Sequence, residues 1–303
     1  MSFRLTILGT SSALPTSDRY PTAHVLNVHE RLYLVDCGEG TQMQMRRYRV
    51  RFGKINHIFI SHLHGDHIFG LYGLLSTFNL MGRILPLNIY APEPFEELIT
   101  RHLKDFDISL AYDLNIHHLS GHSPKLILDD KRVTVTSFPL KHRVPAYGFL
   151  FREKEAERKM IKEKIQELGL SFAEIASLKR GENIVREDNE VIPADDVTLK
   201  PPEPKSYAYC SDTSYFSKLA SYVKGVDLLY HEATFANDLL ELAKQTGHST
   251  SVQAASVAVE SGAVKLIIGH FSARYKSSQI LEDEAKMIFP ATEAAKEGAS
   301  YDI

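Results

Sequence analysis

The chain of 303 residues has two cysteines (Cys37 and Cys210), no tryptophan, no surplus of positive charge and no long apolar run. So few cysteines exclude a disulfide framework and fit a reducing compartment. With 35 Lys and Arg against 38 Asp and Glu the formal net charge is −3, which argues against gripping nucleic acid by bulk charge. Any such contact must come from local basic patches. No apolar stretch approaches the roughly 20 residues of a membrane helix, and the opening Met1–Gly9 is too short and strand-like for a secretory signal. The cytoplasm is therefore the expected compartment, with no membrane contact. A composition of 44% hydrophobic and 24% charged residues supports a sizeable core, in two average domains or one large α/β domain carrying an insertion. Histidine is the one excess, with 14 residues.

Three of those histidines crowd into Ile58-Phe59-Ile60-Ser61-His62-Leu63-His64-Gly65-Asp66-His67. The first residues read as a short buried strand, and Ile68–Leu75 as the core face of a helix. His62 and His64, two apart on extended chain, project to one side. Asp66 and His67 sit at the turn into the helix and can aim at the same point. Neutral imidazoles with a carboxylate suit zinc, with manganese or iron as competitors.

Along the rest of the chain, Phe3–Leu8 reads as a strand, and His24–Val28 with Arg31–Asp36 as a hairpin turning at His29-Glu30. Asp36-Cys37-Gly38 is either a plain turn or the seat of an orienting carboxylate. Gly40–Phe52 reads as a helix. Arg46, Arg47, Arg49, Arg51 and Lys54 follow one another with no acid between them, a solvated face or a patch for phosphates or a dimer edge. Pro86–Ala91 is a strand, Glu93–Leu103 a helix, and Leu114–Leu119 and Arg132–Phe138 are strands separated by turn-rich Ser120–Lys131, with His117, His118 and His122 as surface or strand histidines. His142 lies at a strand end within His-Arg-Val-Pro-Ala-Tyr-Gly. Residues 152–205 change character, with 11 Lys and Arg against 13 Asp and Glu and a closing Pro-Pro-Glu-Pro; they read as an inserted arm with too few apolar residues to fold alone. Strand Ser206–Ser211 delivers Asp212 at its carboxyl end, where ligand residues of open α/β sheets gather. Cys210 is a soft-ligand alternative, better read as a small buried residue. Ser249 or Thr250 caps a helix at Ser251–Ser261, and the β-branched run Val264–Gly269 ends in His270.

His62-x-His64-x-Asp66-His67 is similar to the signature of the metallo-β-lactamase superfamily. From first strand to last helix the chain resembles its tRNA 3′-processing branch, ribonuclease Z, in the short form. His231-Glu232-Ala233-Thr234 and Gly247-His248-Ser249-Thr250 match the two motifs that set this branch apart, and Phe271–Tyr275 completes the match. The resemblance implies an α/β (α+β) four-layer αβ/βα sandwich, residues 1–151 with 206–303, and a flexible tRNA-binding arm at 152–205. It implies two zinc ions per subunit, with manganese or iron possible: His62, His64 and His142 on one, Asp66, His67 and His270 on the other, and Asp212 across both. Asp36 orients the metal-bearing loop, Asp66 accepts a proton, and His248 acts as general acid oriented by Glu232. Precursor tRNA is the implied substrate, contacted by Arg46, Arg47, Arg49 and Arg274, and the implied assembly is a homodimer. Two departures stand out: Arg19-Tyr20 replaces an Arg-Asn pair, and Leu170–Lys179 occupies the place of a Gly-Pro arm tip. Other readings are a dimetal hydrolase acting on small phosphodiesters or thioesters, and a non-catalytic RNA-binding subunit; the complete ligand set argues against the last.

Overall fold

The computed structural model describes residues 3–187 and 189–303. Alternation of side chains assigns each strand two faces. In β1 (Phe3–Gly9), Phe3, Leu5 and Ile7 enter one core and Leu8 another. β2 (Ala23–Val28) and β3 (Arg31–Val35) form the expected hairpin. His29 and Glu30 at its tip take φ of 49° and 68°, the mirror-image turn whose twist matches that of paired strands. The helix read over Gly40–Phe52 is shorter: α1 (Thr41–Arg47) stops because Arg49 adopts φ 58° and leaves helical space. There follow β4 (Ile55–Phe59), α2 (Gly65–Leu80), β5 (Leu87–Pro92), α3 (Phe95–Asp105) and β6 (Leu114–Leu119).

The segment read as turns, Ser120–Lys131, contains a further strand, β7 (Lys125–Asp129), paired antiparallel with β8 (Val133–Pro139). As an edge strand it is half-buried at best, so it shows little of the alternation that marks a strand in sequence. β9 (Tyr147–Glu153) leads into the insertion, which holds β10 (Lys159–Met160), α4 (Lys162–Glu167), α5 (Phe172–Lys179), β11 (Ile184–Val185), β12 (Val191–Ile192), α6 (Ala194–Val197) and β13 (Thr198–Leu199). The chain resumes with β14 (Ser206–Cys210), α7 (Leu219–Tyr222), β15 (Leu228–Glu232), α8 (Leu240–Thr246), α9 (Ser251–Ser261), β16 (Lys265–Gly269), α10 (Gln279–Ile288), β17 (Thr292–Ala294) and β18 (Ser300–Asp302).

Two seven-stranded sheets result, in the orders β18-β1-β2-β3-β4-β5-β6 and β17-β16-β15-β14-β9-β8-β7. Between them lies an aromatic core in which Phe59, Tyr90, Phe149, Phe151, Tyr207, Tyr209 and Tyr230 meet; Phe59 stacks on Tyr90 at 4.6 Å. The outer face of the first sheet is covered by α1, α2 and α3 through Met45, Leu71, Leu74, Phe78, Phe95 and Ile99. Leu219, Ala254, Ala258, Leu281 and Ala285 from α7, α9 and α10 cover that of the second. Helix, sheet, sheet and helix make the four-layer αβ/βα sandwich. β4, β14, β15 and β16 run parallel to a strand neighbour, and each empties its carboxyl end into a loop that carries polar side chains.

The chain divides into two compact units, Met1–Arg152 with Lys205–Ile303, and Glu153–Pro204. In the smaller one, expected to hold too few apolar residues to fold alone, Leu170, Leu178, Ile192, Ala194 and Val197 are nevertheless buried together, with Ile165, Ile175 and Ile184 packed around them. Ser171 and Glu174 close a reciprocal cap on α5, and Arg186 ties Glu174 to Glu190 at 3.0 and 2.9 Å. These apolar residues are scattered through a charged segment, so only folding reveals that they converge.

Candidate metal centre

Beyond β4, extended chain presents His62 and His64 before α2 begins at Gly65. α2 then carries Asp66 in its first turn, where a carboxylate is favoured by the helix dipole. The helix lies hard against the loop after β3. A Cβ on Gly70 would stand 2.0 Å from the Gly38 carbonyl oxygen, and one on Gly38 would stand 2.4 Å from the Asp66 carbonyl oxygen, so neither position accepts a side chain. This contact brings Asp36 beneath the histidine loop. Asp36 is fully buried; Oδ1 accepts the Ser61 N–H at 2.7 Å, and Oδ2 accepts Ser61 Oγ at 2.8 Å, His67 Nδ1 at 2.8 Å and Tyr209 OH at 2.6 Å.

Three distant residues close on this loop. His142 Nε2 stands 3.3 Å from His64 Nδ1, which in turn stands 3.0 Å from His62 Nε2. Asp212 Oδ2 faces that group, at 3.5 Å from His62 Nε2 and 3.8 Å from His142 Nε2. Its other oxygen, Oδ1, faces a second group, at 3.4 Å from His67 Nε2 and 3.1 Å from His270 Nε2. Asp66 Oδ2 completes the second group, 3.4 Å from both nitrogens. Two donors each about 2.1 Å from a tetrahedral ion stand about 3.4 Å apart, so the spacing in both groups is that of ligand edges.

The remote ring nitrogens are secured. His62 Nδ1 meets Ser61 Oγ at 3.0 Å, His142 Nδ1 donates to the Gly247 carbonyl at 2.8 Å, and His270 Nδ1 meets Thr234 Oγ1 at 3.0 Å. Such bonds fix ring and tautomer and leave the inward nitrogen as a lone pair. His67 Nε2 is buried and makes no hydrogen bond of good geometry among the described residues, with Asp66 and Asp212 oxygens each 3.4 Å away, and a cation held between these three atoms would satisfy them together. The charges agree. Burial opposes a charge on His67, yet Asp66, Asp212 and Asp36 outweigh it and hold its pKa well above the usual value. Burial likewise opposes ionisation of Asp212, but His270, His67 and His62 keep its carboxyl well below the usual range. The donor set thus fits two divalent cations, one within His62, His64, His142 and Asp212 and one within Asp66, His67 and His270, with Asp212 Oδ1 facing His67 and His270 of the second. Asp212, His270 and the neighbouring His248 also lie within ligand reach of one another.

Beside this cluster, Glu232 at the end of β15 is fully buried and accepts four hydrogen bonds, from Thr213 N, Thr234 N, Thr234 Oγ1 and His248 Nδ1, the last at 2.9 Å. Strand alternation turns its neighbour His231 to the opposite, helix-covered face of the sheet, the side of Leu229, where it is fully buried. His248 Nδ1 stands 3.9 Å from Asp212 Oδ2. Burial disfavours its cation, but Glu232, Asp212 and Asp66 raise its pKa to about 9. Oriented through Nδ1, the ring is poised to donate a proton from Nε2.

Other candidates fall elsewhere. Cys210 is buried among Ala254, Ala258 and Leu281 on the helix side of its sheet, and burial pushes its thiol up. His117 bonds Asn88 and His118 bonds Glu96, both at the surface. The basic run is broken up: Arg51 and Lys54 pair with Glu30, and Arg46 lies over Phe52 at 5.4 Å, while Arg47 and Arg49 stay exposed. Arg274 lies over Phe235, whose ring stands 6.1 Å from that of His248. Sequence reasoning missed the supports. Ser61 and Thr234 stood inside motifs without an assigned role, and nothing in the sequence points to Tyr209.

Comparison with known proteins places these observations in a lineage. A family model described as anti-Pycsar protein Apyc1 matches residues 3–137, less than half of the chain. The protein named ribonuclease Z from Bacteroides thetaiotaomicron is 46% identical over 301 residues, 99% of this chain and 95% of that protein. Among solved structures, the short form of human tRNase Z superposes with a TM-score of 0.72 and 26% identity, covering 98% of each chain. The metallo-β-lactamase fold protein YhfI from Bacillus subtilis superposes with a TM-score of 0.72 at 19% identity, covering 99% of each, which speaks for the fold alone.

Proposed function

Because the chain belongs to the ribonuclease Z family, we propose that it is an endoribonuclease that removes the 3′ trailer from precursor tRNA and leaves a 3′-hydroxyl. The observation that carries this reading is the division of Asp212, with one oxygen towards His62 and His142 and the other towards His67 and His270. Two zinc ions held by the two groups would, when bound, polarise the scissile phosphate and lower the pKa of a water. Asp66, ionised and at the rim of the second group, takes the proton of the attacking water. The new bond joins that oxygen to phosphorus, and the bond to the ribose 3′-oxygen breaks. This oxygen is a poor leaving group unless protonated, and His248 supplies the proton while Glu232 holds Nδ1–H and steadies the imidazolium. Arg274, stacked beside Phe235, offers a cation to RNA near the cut.

The smaller unit, Glu153–Pro204, is proposed as the arm that engages tRNA, and the active form as a homodimer. Exposed Leu80, Met81, Ile84 and Leu85 are an apolar strip that a second copy would cover. Buried unpaired Cys37 and Cys210 suit the cytoplasm, and no described helix is long and apolar enough to cross a membrane. Metal analysis with cleavage of a precursor tRNA, on the parent and on Asp212→Ala, tests the core of this reading. Loss of metal together with cleavage is expected; a variant that still cuts would overturn it.

A further inference from the structure

A cleft of about 480 Å³ is lined in part by Phe271, the residue that follows His270 along the chain. Phe271 donates its N–H to the Thr10 carbonyl at 2.8 Å, and Thr10 is part of the same lining. The charge here runs against that of the chain: Arg19, Arg47, Lys276 and Lys296 face two carboxylates, Asp18 and Glu297. Two of these six are already committed to the fold. Arg19 donates to the carbonyls of Ser272 and Tyr275 at 3.3 and 2.7 Å and so anchors the loop that leads to Lys276. Glu297 accepts the Tyr20 N–H at 2.6 Å and Gln44 Nε2 at 2.8 Å. Arg47, Lys276 and Lys296 have no ion-pair partner among the described residues, although the chain carries more acids than bases. Ser277 and Ser278 add hydroxyl donors along the same wall.

Three cations outside ion pairs, of which Arg47 is felt by Glu297, and two hydroxyls around a concave surface whose lining includes the residue after a metal-ligand candidate suit the phosphates of a strand that continues past the reacting one. We propose that this cleft binds backbone phosphates of the RNA substrate adjacent to the cut, with Arg47, Lys276 and Lys296 as the contacts. The inference rests on the ribonuclease reading. Of the run at Arg46–Lys54 it assigns a role to Arg47 alone: Arg51 and Lys54 are held by Glu30, Arg46 rests on Phe52, and Arg49, though exposed, is not part of the lining.

The test is the triple variant R47Q/K276Q/K296Q beside the charge-keeping R47K/K276R/K296R. KM for precursor tRNA should rise about tenfold or more in the first, and the slope of log KM on log salt should shrink by about 2–3, as expected for three lost phosphate contacts. The second should stay near the parent. KM for bis(p-nitrophenyl) phosphate, which carries no flanking phosphates, should shift less than twofold. Substrates with one-nucleotide and ten-nucleotide trailers identify the strand: a defect confined to the long trailer assigns the cleft to the trailer, and one seen with both assigns it to the tRNA side. If the parent cuts RNA and the glutamine variant matches it in KM and salt slope, the cleft proposal alone fails. A parent that does not cut RNA removes the ribonuclease reading and the cleft with it.

Discussion

Asp36→Asn isolates what holds the histidine loop in place. The side chain keeps its size, and the φ of 55° at this position suits asparagine as well as aspartate, so the swap adds no backbone strain. What changes is acceptor capacity. Four donors converge on the two carboxylate oxygens, one on Oδ1 and three on Oδ2. An amide does best with its NH₂ in the Oδ1 position, where it confronts the Ser61 N–H. One buried donor is then left unsatisfied, at roughly 1–3 kcal/mol, and three bonds lose their charged acceptor, at roughly 1 kcal/mol each. Relief of burying a charge offsets part of this, so a net loss of about 2–5 kcal/mol is expected. In a protein of this size that lowers Tm by about 3–8 °C. The bond that orients His67 is among those weakened, and metal affinity should fall about 10–100-fold. Urea unfolding of chelator-treated protein measures the first effect, and competition with a chromophoric chelator the second. A variant within 0.5 kcal/mol of the parent, with unchanged metal affinity, would refute the reasoning.

His248→Ala should slow RNA cleavage by about 10²–10⁴-fold with metal content intact; loss of metal would move His248 into the ligand set and end its assignment as an acid. In metal-free protein, burial disfavours the His248 cation, but Glu232 and Asp212 raise its pKa from 6.5 to about 9. Its contribution to stability is therefore fully present below pH 6.5 and is lost as pH rises through 9. His248→Asn should flatten this fall, measured by urea unfolding at pH 6 and 9.5, and equal slopes in both proteins would contradict the pairing. Replacing residues 155–203 with a short Gly-Ser linker should abolish cleavage of precursor tRNA and spare bis(p-nitrophenyl) phosphate, because the smaller unit has its own core. Parallel loss of both activities would argue against a role in tRNA binding.

Local order made part of the centre legible. A strand that runs into His62, His64, Asp66 and His67 and then a helix places four ligand types by spacing alone, since extended chain and a helix's first turn have fixed directions. His142, Asp212 and His270 were assigned through family resemblance, and the structure brings all three to the cluster. The pairing of Glu232 with His248, 16 residues apart, was likewise expected and is present at 2.9 Å. Charge patterning misled where partners are remote: Glu30, at the tip of the β2–β3 hairpin and outside the run itself, pairs with Arg51 and Lys54, 21 and 24 positions further along the chain. Edge strand β7 and the small core of the insertion escaped for a related reason. Half-buried or scattered apolar residues leave no period to read.

By itself, then, the order of residues determined which side chains could serve as donors and which short elements would carry them, because those properties depend on residue type and near neighbours. The closing of two sheets on each other decided the rest. It set Tyr209 against Asp36 across 173 positions, turned the two oxygens of Asp212 to separate histidine groups, and gathered Arg47, Lys276 and Lys296 around one cleft. Those relations join residues far apart along the chain, and only packing fixes distances of that kind.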